Sequence, residues 1–381
     1  MSPPAPARLR PPTAALAALA VALAALAGGV AAQDVAPVGS PGVAAPGSVT
    51  PAAAGPWRLP MRGMALPMHA LDPAHDYATP LAELPPLGVD HVALFVHLWQ
   101  RDARSPEPRR HPLRTPSDRV VRDTIRRARA LGLAVALVPT VHLERPAPED
   151  WRGSIRPPSW PAWFQGYRRE LLHLARLAED EGVALLAVGS ELSSTDAQEA
   201  LWRALIADVR AEFSGPLTYS ANWDHYQRVG FWDALDLVGL SAYFELSRAD
   251  DPAVDDLRAA WTRERDALAV FRARRGLLGQ PLVLLEVGYP SVAGAASKPW
   301  DYTAQGPVDL EVQRRCYEAF AAAWRGAPPA DLAGVFFYEW WGEGGRRDRG
   351  YTPRGKPALD ALKGFFAPTS SPAPSRPSPA R

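Results

Sequence analysis

Cysteine, lysine and net charge are scarce in this 381-residue sequence, and each scarcity excludes something. The lone cysteine, Cys316, rules out an internal disulfide, and its place in the helical pattern "LEVQRRCYEAFAAAW" predicts a buried thiol. The 42 basic and 41 acidic residues nearly balance, so the charge does not favour a polyanion and we expect no nucleic-acid partner. Only three of the basic residues are lysines.

Motifs of several enzyme classes are also missing. The eight histidines include neither a His-Glu-x-x-His spacing nor a close Cys/His set, so we predict no metal site. The segments "VGSEL" and "EVGYPS" lack the Gly-x-Ser-x-Gly elbow of serine hydrolases. No glycine-rich nucleotide fingerprint follows the first predicted strand in "RGMALPMHALDPAHD". The sequence therefore predicts no cofactor.

Residues 1–32 have the pattern of a secretory signal peptide. Arg8 and Arg10 precede an Ala/Leu run over residues 14–27, and Val30 and Ala32 suit a small-x-small cleavage site. The run is shorter than the ~20 residues that a membrane-spanning helix needs. We expect an exported protein, extracellular or periplasmic, with no membrane span after cleavage; an uncleaved anchor is the alternative.

Low-complexity segments flank one long region of mixed composition. Residues 33–56 are almost wholly Ala, Pro, Gly and Val, and residues 367–381 are rich in Pro and Ser, so we predict that both are disordered. Residues 57–366 contain no such break and no short repeat, and their length fits two ordinary domains or one large barrel. We interpret them as one catalytic domain and expect a monomer.

Short apolar runs alternate with amphipathic ones through this region, which predicts strand-helix units around a parallel sheet. Ser117 and Gly132 bound one predicted helix, and a second ends at Gly182. Eight strands favour an α/β fold of the (β/α)8 TIM-barrel type, with a short connection between the fifth and sixth strands; a doubly wound open sheet is the alternative. The predicted strands are residues 62–66, 91–98, 133–142, 184–191, 217–223, 235–243, 281–289 and 332–341.

Two acids follow predicted strands in a similar way. "AVGSELSS" presents Glu191 after the fourth strand, and "LLEVGYPS" presents Glu286 at the seventh. Counting by twos gives each acid a consistent face, and a closed sheet would bring both to one cavity at its carboxyl end. The predicted face-mates are Leu185, Ala187 and Gly189 for Glu191, and Leu282 and Leu284 for Glu286.

Two carboxyls flanking one bond are what acetal cleavage needs. One protonates the leaving oxygen, and the other attacks the anomeric carbon or activates water. The roles separate when the surroundings push the two pKa values apart. In the alternative reading, both glutamates form structural ion pairs with arginines at the barrel mouth.

These residues carry a family resemblance. The sequence resembles glycoside hydrolase family 113, which contains endo-β-1,4-mannanases, within the clan of retaining (β/α)8 glycoside hydrolases, and the resemblance covers residues 62–366. It implies Glu191 as general acid/base, Glu286 as nucleophile, a covalent glycosyl-enzyme and no metal. It also implies that Tyr243 hydrogen-bonds Glu286. The segments that carry it are "TVHLERPAPEDWRGSI", "AVGSELSS", "SANWDHY", "GLSAYF", "LLEVGYPS", "FFYEWWG" and "YTPRGKPAL".

The chain departs from the wider clan at one position. Many clan members have Asn before the acid/base glutamate, where it binds the sugar 2-hydroxyl, whereas this chain has Ser190. A serine hydroxyl can also hydrogen-bond a sugar but reaches less far. The departure bears on substrate preference, and it keeps open a second hypothesis, a carbohydrate-binding barrel without turnover.

Aromatic and polar side chains complete the predicted site. Aromatic faces suit the apolar face of a pyranose. We expect Trp223, Trp340 and Trp341 to line a sugar cleft. Tryptophans at strand ends or in loops also include Trp99, Trp151, Trp160 and Trp163. The polar candidates for binding hydroxyls are Arg62, His97, His142, Arg152 and Asn222.

Three further carboxylates, Glu144, Glu245 and Glu339, come at or just after predicted strands, and Glu339 is the main rival to Glu286. The favoured reading is a retaining glycoside hydrolase acting on a β-linked, mannan-like polysaccharide. A metal-dependent polysaccharide deacetylase or hydrolase is a third hypothesis, but the ligand clusters that it needs are missing.

Overall fold

A computed structural model describes residues 59–68, 70, 72 and 74–367. The predicted signal peptide, the Ala/Pro-rich linker and the tail from residue 368 onward lie outside the described residues. Within this described part, no helix is long and apolar enough to cross a membrane.

Eight parallel strands close into a barrel in sequence order, with β1 also paired to β8. This confirms the predicted (β/α)8 fold and excludes the open sheet. Several predicted strands are too long, chiefly the sixth, seventh and eighth, because residues 235–237, 242–243, 288–289 and 338–341 lie outside the strands. The strands are β1 (Met61–Pro67), β2 (His91–Gln100), β3 (Ala134–Leu143), β4 (Leu185–Ser190), β5 (Leu217–Asn222), β6 (Val238–Ser241), β7 (Leu282–Val287) and β8 (Leu332–Phe337).

Seven α-helices are found among the described residues. Ser117 caps one of them by accepting from the Val120 amide, as its position predicts. Only two 3-10 turns, Tyr226–Arg228 and Trp232–Ala234, connect β5 to β6, which is the short connection that the sequence predicts. The α-helices are α1 (Ala78–Ala82), α2 (Asp118–Ala130), α3 (Trp160–Asp180), α4 (Glu199–Glu212), α5 (Val254–Arg274), α6 (Leu310–Trp324) and α7 (Ala358–Phe366).

Two apolar layers stabilise the barrel. A small cluster of strand residues, including Ala65, Phe95 and Phe336, fills the interior. A much larger cluster lies between the strands and the helices. Cys316 belongs to this outer layer and is fully buried, so the predicted buried thiol is confirmed. The two layers make the barrel a packed core, and open space for a ligand is left at the strand ends.

The end of β4 breaks the alternation that the sequence suggests. Ala187 packs inside the barrel, but a Cβ on Gly189 would point at Trp202 in the outer layer. The register against β5 shifts between Ala187 and Ser190. A bulge of this kind re-aims the residues that follow it. The predicted shared face of Glu191 with Gly189 is therefore wrong, although Glu191 still reaches the barrel mouth.

A similar irregularity ends β7. Leu282 and Leu284 pack in the outer layer, whereas Leu285 lies inside the barrel. Strict alternation would turn the next residue, Glu286, outward. The pairing with β6 shifts register just before Ser241, which then lies opposite Glu286, and the pairing with β8 shifts as well. Glu286 thus faces the cavity because the strand is irregular, and the predicted shared face with Leu282 and Leu284 is wrong.

Candidate active site

Glu191 follows β4 in a left-handed backbone conformation, with φ of 55°. This conformation is uncommon for a residue with a side chain and requires fixing by its surroundings. The Glu191 amide donates to the Ser220 carbonyl at 2.8 Å, and the next amide, that of Leu192, donates to the Tyr219 hydroxyl at 3.0 Å. The turn that presents Glu191 is therefore held from β5.

The carboxyl of Glu191 pairs with an arginine. Arg152 Nη1 lies 2.5 Å from Glu191 Oε2, and Arg152 Nε donates to the Val141 carbonyl at 3.3 Å. Arg152 begins a 3-10 turn, Arg152–Ser154, in the loop after β3. Glu191 is 7 % exposed. The sequence raised an arginine ion pair as a structural alternative; here the pair exists, and it lies in an open cavity.

Hydroxyl groups hold both oxygens of Glu286. Tyr243 donates to Oε2 at 2.9 Å, and Ser241 donates to Oε1 at 3.1 Å. Ser241 Oγ is also 2.9 Å from Ser220 Oγ, on the strand whose backbone holds Glu191. The two glutamates are thus positioned by the same pair of neighbouring strands, β5 and β6.

One cavity of about 440 Å³ receives both carboxyls. Its size is within the range of sites for small molecules and short oligomers. Aromatic side chains form most of its wall. The lining residues are Trp151, Arg152, Glu191, Asn222, Trp223, Asp224, Tyr243, Glu286, Trp300, Tyr302, Tyr338 and Tyr351.

The two carboxyls influence each other electrostatically. Burial, and then the negative charge of Glu191, raise the pKa of Glu286 to about 7, against the opposing effects of Arg152 and of the Tyr243 and Ser241 hydroxyls. Two carboxyls that interact in this way titrate as a pair. The raised pKa of Glu286 beside a second carboxyl is the kind of arrangement that acid-assisted cleavage uses.

Half of the predicted site residues line the cavity. They are Glu191, Glu286, Tyr243, Asn222, Trp223, Trp151 and Arg152. Asn222 lines the cavity, but its side-chain amide already donates to Asp224 Oδ1 at 2.6 Å. Ser190 is fully buried beside Glu191, and its hydroxyl has no hydrogen-bond partner among the described residues.

The other predicted residues lie elsewhere. His97 and Trp99 lie near the carboxyl end of β2 and pack against His142, near the carboxyl end of β3, with the two histidine rings 4.3 Å apart; they do not line the cavity. Arg62 is at the opposite end of the barrel, where it pairs with Asp90 at 2.8 Å. A site role for Arg62 is therefore wrong, because it lies near the amino end of β1 and not at the carboxyl end.

The tryptophan pair after β8 does not face the cavity. The Trp340 indole donates to Glu83 at 3.0 Å, Arg354 lies over its ring, and it is 3 % exposed. Trp341 packs near His75 and Tyr77. The predicted cleft role of both residues is wrong, because the chain leaves the strand after Phe337 and turns them toward α1. Trp163 is buried, with its indole donating to Gln100, and Trp160 packs against the outer layer.

Glu339, the rival to Glu286, does not belong to the site. It does not line the cavity, and burial raises its pKa to about 7. Its charged surroundings are Asp348 and Lys356, which belong to the loop after β8. The Lys356 ammonium is buried and donates to Asp348, Ser291 and the Gly350 carbonyl. This cluster ties the β8 loop to the β7 loop.

Five lining residues were not predicted from the sequence. Tyr338 directly follows β8 but lay inside the predicted eighth strand, whose end was placed at Trp341. Tyr351 and Asp224 lie in loops without a periodic signal. Trp300 and Tyr302 come from the long segment 288–309 after β7, and the exposed aromatics in such a loop were the available clue. Among the described residues, no group of three or more His, Cys, Asp or Glu could hold a metal ion.

A closed barrel whose carboxyl end holds two buried carboxyls in one aromatic-walled cavity defines the class of (β/α)8 glycoside hydrolases. Comparison with known proteins then identifies the family. The profile of Glycoside Hydrolase Family 113 matches residues 73–355. The chain belongs to this family and is a glycoside hydrolase.

Solved structures agree with this membership. The chain is 32 % identical to the GH113 beta-mannanase AaManA from Alicyclobacillus acidocaldarius, with a TM-score of 0.70, covering 80 % of this chain and 96 % of that one. A GH113 beta-1,4-mannanase shares the fold at 24 % identity and TM-score 0.71, covering 81 % and 99 %. Thermotoga maritima Cel5A in complex with mannotriose shares the fold at 12 % identity and TM-score 0.55, covering 80 % and 97 %. Among proteins with curated descriptions, none matched this sequence.

Proposed function

We propose that this protein is a retaining endo-β-mannanase that cleaves its polysaccharide through two glutamates. The observation that carries the proposal is the shared cavity, in which Glu191 and Glu286 are buried and electrostatically coupled. Family membership supports a glycosidase, and similarity to a GH113 beta-mannanase at 32 % identity supports the choice of mannan.

The roles follow from how each carboxyl is held. Glu286 accepts from Tyr243 and Ser241 through its two oxygens, which keeps it stationary and opposes the rise in pKa that burial and the Glu191 charge cause. Glu191 is held on one oxygen by Arg152. We assign Glu286 as nucleophile and Glu191 as acid/base, in line with the family resemblance.

In the first step, the Glu191 carboxylic acid gives its proton to the glycosidic oxygen. The bond from that oxygen to the anomeric carbon breaks as the Glu286 carboxylate forms an ester with the carbon, and the leaving sugar departs with the proton. The Tyr243 and Ser241 hydroxyls hold Glu286 in line for this attack.

In the second step, Glu191 acts as a base. Its carboxylate takes a proton from water, the water oxygen attacks the anomeric carbon, and the ester to Glu286 breaks. Glu286 is released as a carboxylate and Glu191 is again protonated. The Arg152 guanidinium, 2.5 Å from Glu191 Oε2, is positioned to orient the Glu191 carboxyl in this step.

Replacing either glutamate tests the assignment. We expect Glu191→Gln and Glu286→Gln each to lower kcat on β-mannan by about 10²- to 10⁴-fold or more, because an amide neither donates an acidic proton nor attacks carbon. Reducing-end release measures the effect, and thermal unfolding checks that both variants fold. Near-native turnover by either variant contradicts the role assigned to the replaced glutamate. If the wild type binds mannan tightly but releases no product, the protein is a carbohydrate-binding protein.

Stereochemistry separates the two roles. We expect NMR of fresh wild-type digests to show the β-anomer first, because double displacement retains configuration. Added azide should restore turnover by Glu191→Ala and give a β-glycosyl azide, since the glycosyl-enzyme still forms. With Glu286→Ala, azide should restore turnover and give an α-glycosyl azide, since azide then replaces the nucleophile. An initial α-anomer from the wild type, or exchanged azide products, would contradict the mechanism.

Export is part of the proposal. Its support is the pattern of residues 1–32, with Arg8 and Arg10 before a short Ala/Leu run. A polysaccharide is too large to enter a cell intact, so an exported enzyme suits such a substrate. N-terminal sequencing of the protein recovered outside the cytoplasm tests export, and a start near Gln33 is the expected result.

A further inference from the structure

Exposed aromatic side chains are concentrated at the candidate site. Nine large hydrophobic side chains are exposed in the described part of the chain, and three of them are aromatic: Trp151, Trp300 and Tyr302. All three line the cavity that holds the two glutamates. Exposing an aromatic face to water costs free energy that burial would recover, so such a cluster indicates a binding surface.

The segment that carries Trp300 and Tyr302 is a fixed projection. It runs over residues 288–309 between β7 and α6, which is longer than most loops in compact domains. An antiparallel bridge between Val292 and Val308 closes its base. Farther out, the Leu246 amide donates to the Ala296 carbonyl at 2.8 Å, and Asp301 accepts from the Thr303 amide at 3.0 Å. The last bond folds a turn around Tyr302, which follows Trp300 by two residues.

Tyr351 attaches this projection to the nucleophile's surroundings. Its hydroxyl donates to the Pro299 carbonyl, next to Trp300, at 2.7 Å. Its ring lies 6.1 Å from the ring of Tyr243, which donates to Glu286. Because Tyr351 is buried, the position of Trp300 relative to Glu286 is fixed by a chain of packed groups.

A second aromatic face lies beside the other glutamate. Trp151 is 40 % exposed and precedes Arg152, which pairs with Glu191. The backbone amide of Trp151 donates to Ser154 Oγ at 3.0 Å, and a Cβ on Gly153 would clash with the Trp151 ring. The absence of a side chain at residue 153 therefore lets the indole lie flat against the turn.

We propose that Trp300 and Tyr302 form one sugar-stacking platform and Trp151 another, on the Glu286 side and the Glu191 side of the cleft. This inference rests on the proposed function and specifies its substrate as a neutral polymer bound across the cleavage point by several sugars. Aromatic faces bind the apolar faces of pyranoses. The charged groups of the lining are three acids, Glu191, Glu286 and Asp224, and one base, Arg152, so the cleft disfavours uronic acids.

Chain-length dependence tests the platform. We expect the wild type to show kcat/KM rising from mannotriose to mannohexaose, because longer chains reach the aromatic faces. Trp300→Ala and Tyr302→Ala should each shrink the ratio of hexaose to triose by about three- to tenfold, mainly through KM, since an aromatic contact contributes about 0.5–1.5 kcal/mol. An unchanged ratio in the double variant overturns the platform.

A matched control uses Leu278→Ala. Leu278 is 64 % exposed but does not line the cavity, so the ratio should stay at the wild-type value. If the Leu278 variant shrinks the ratio as much as Trp300→Ala does, the effect is not specific to the platform and the proposal is wrong.

Affinity electrophoresis tests the platform independently of whether mannan is the substrate. Glu286→Gln protein is run through gels containing β-mannan, a soluble β-glucan, xylan or polygalacturonate. Retardation by at least one neutral polymer that disappears with Trp300→Ala and Tyr302→Ala supports the platform even if β-mannan is not hydrolysed. Retardation by no neutral polymer, equal retardation with and without the aromatic residues, or stronger retardation by polygalacturonate overturns it.

Discussion

At the scale of single residues, the site depends on how two carboxyls share charge with one arginine. Arg152 contacts Glu191 directly, and its charge also lowers the pKa of Glu286 against the larger effects of burial and of Glu191. The other titratable groups that interact with Glu286 or Glu191 are Tyr243, Tyr338, Tyr351 and Tyr219, which burial keeps neutral. Arg152 is therefore the positive charge that opposes protonation of the pair.

Removing this charge should move the pH profile. In Arg152→Met, the singly protonated pair holds its proton more tightly, so we expect the alkaline limb of kcat/KM to move to higher pH. Activity at the optimum should fall about tenfold, because Glu191 loses a hydrogen bond that orients it. Initial rates from pH 4 to 10 measure both effects.

Arg152→Lys is the control for charge. It keeps the positive charge beside Glu191, so its alkaline limb should stay close to that of the wild type even if turnover falls. If Arg152→Met loses activity with an unmoved limb, Arg152 acts in binding or structure and does not control the proton.

At the scale of elements, irregular strand ends and anchored loops make the site. Glu286 reaches the cavity because the register shifts near the end of β7, where regular alternation would turn it outward. At the end of β4, the shift turns Gly189 outward while Glu191 still reaches the same cavity. The buried Lys356 cluster joins the loops after β7 and β8. Tyr351, on the second of these loops, then holds the Trp300 segment. The strands thus place the carboxyls and the loops place the aromatic walls.

The Tyr351 anchor can be tested by removing one oxygen atom. Tyr351→Phe deletes the donor to the Pro299 carbonyl and keeps the ring that packs on Tyr243. We expect the ratio of kcat/KM for mannohexaose to that for mannotriose to fall about two- to fivefold, since a hydrogen bond contributes about 0.5–1.5 kcal/mol. Protease cleavage within residues 288–309 should also become faster.

Tyr226→Phe provides the comparison for this anchor. Tyr226 is also buried, and its hydroxyl accepts from Gln227, but it does not line the cavity. The same loss of chain-length dependence in both tyrosine variants would show that the effect is not transmitted through Pro299.

At the scale of the whole barrel, the carboxyl end forms the site and the amino end contributes to stability. The carboxyl end holds the cavity. At the amino end, the Arg62 side chain bonds Asp90 at 2.9 Å and the Phe366 carbonyl at 2.8 Å, which joins β1 to β2 and to the last helix. In this fold, catalytic residues commonly lie at the carboxyl end of the barrel and stabilising residues at the amino end.

Replacing Arg62 should affect stability and leave catalysis intact. We expect Arg62→Met to lower the free energy of unfolding by about 1–3 kcal/mol, because Asp90 loses a charged partner, with kcat on mannan unchanged. Denaturant unfolding and initial rates measure the two quantities. A large loss of kcat in a folded variant would restore Arg62 to the site.

The pH dependence of stability offers a second check on this end. Burial raises the pKa of Asp90, but hydrogen bonds from His91 and Arg62 outweigh it, so the pKa is lowered overall. A lowered folded-state pKa gives stability that is present above the ordinary carboxyl range and is lost as pH falls through the folded value. The stability difference between wild type and Arg62→Met should therefore shrink in acid.

The sequence by itself determined the barrel and the two acids at its strand ends, and it predicted a glycoside hydrolase. Apolar runs alternating with amphipathic ones specify strands and helices locally, and Glu191 and Glu286 stand where such strands end. The buried Cys316 and the helix cap at Ser117 were predictable for the same reason, because each depends on a few neighbouring residues. Alternation and capping act over short distances and can therefore be read along the chain.

Tertiary structure alone decided which side chains surround the acids. The predicted shared faces of Glu191 with Gly189, and of Glu286 with Leu282 and Leu284, were wrong because bulges depend on pairing with strands far away in sequence. Trp340 lies outside the cleft because Glu83, more than two hundred residues earlier, accepts its indole N–H. Trp300 lines the site because Tyr351, in another loop, donates to the adjacent Pro299 carbonyl. Such contacts arise only when distant segments pack, and the local pattern of a sequence does not encode them.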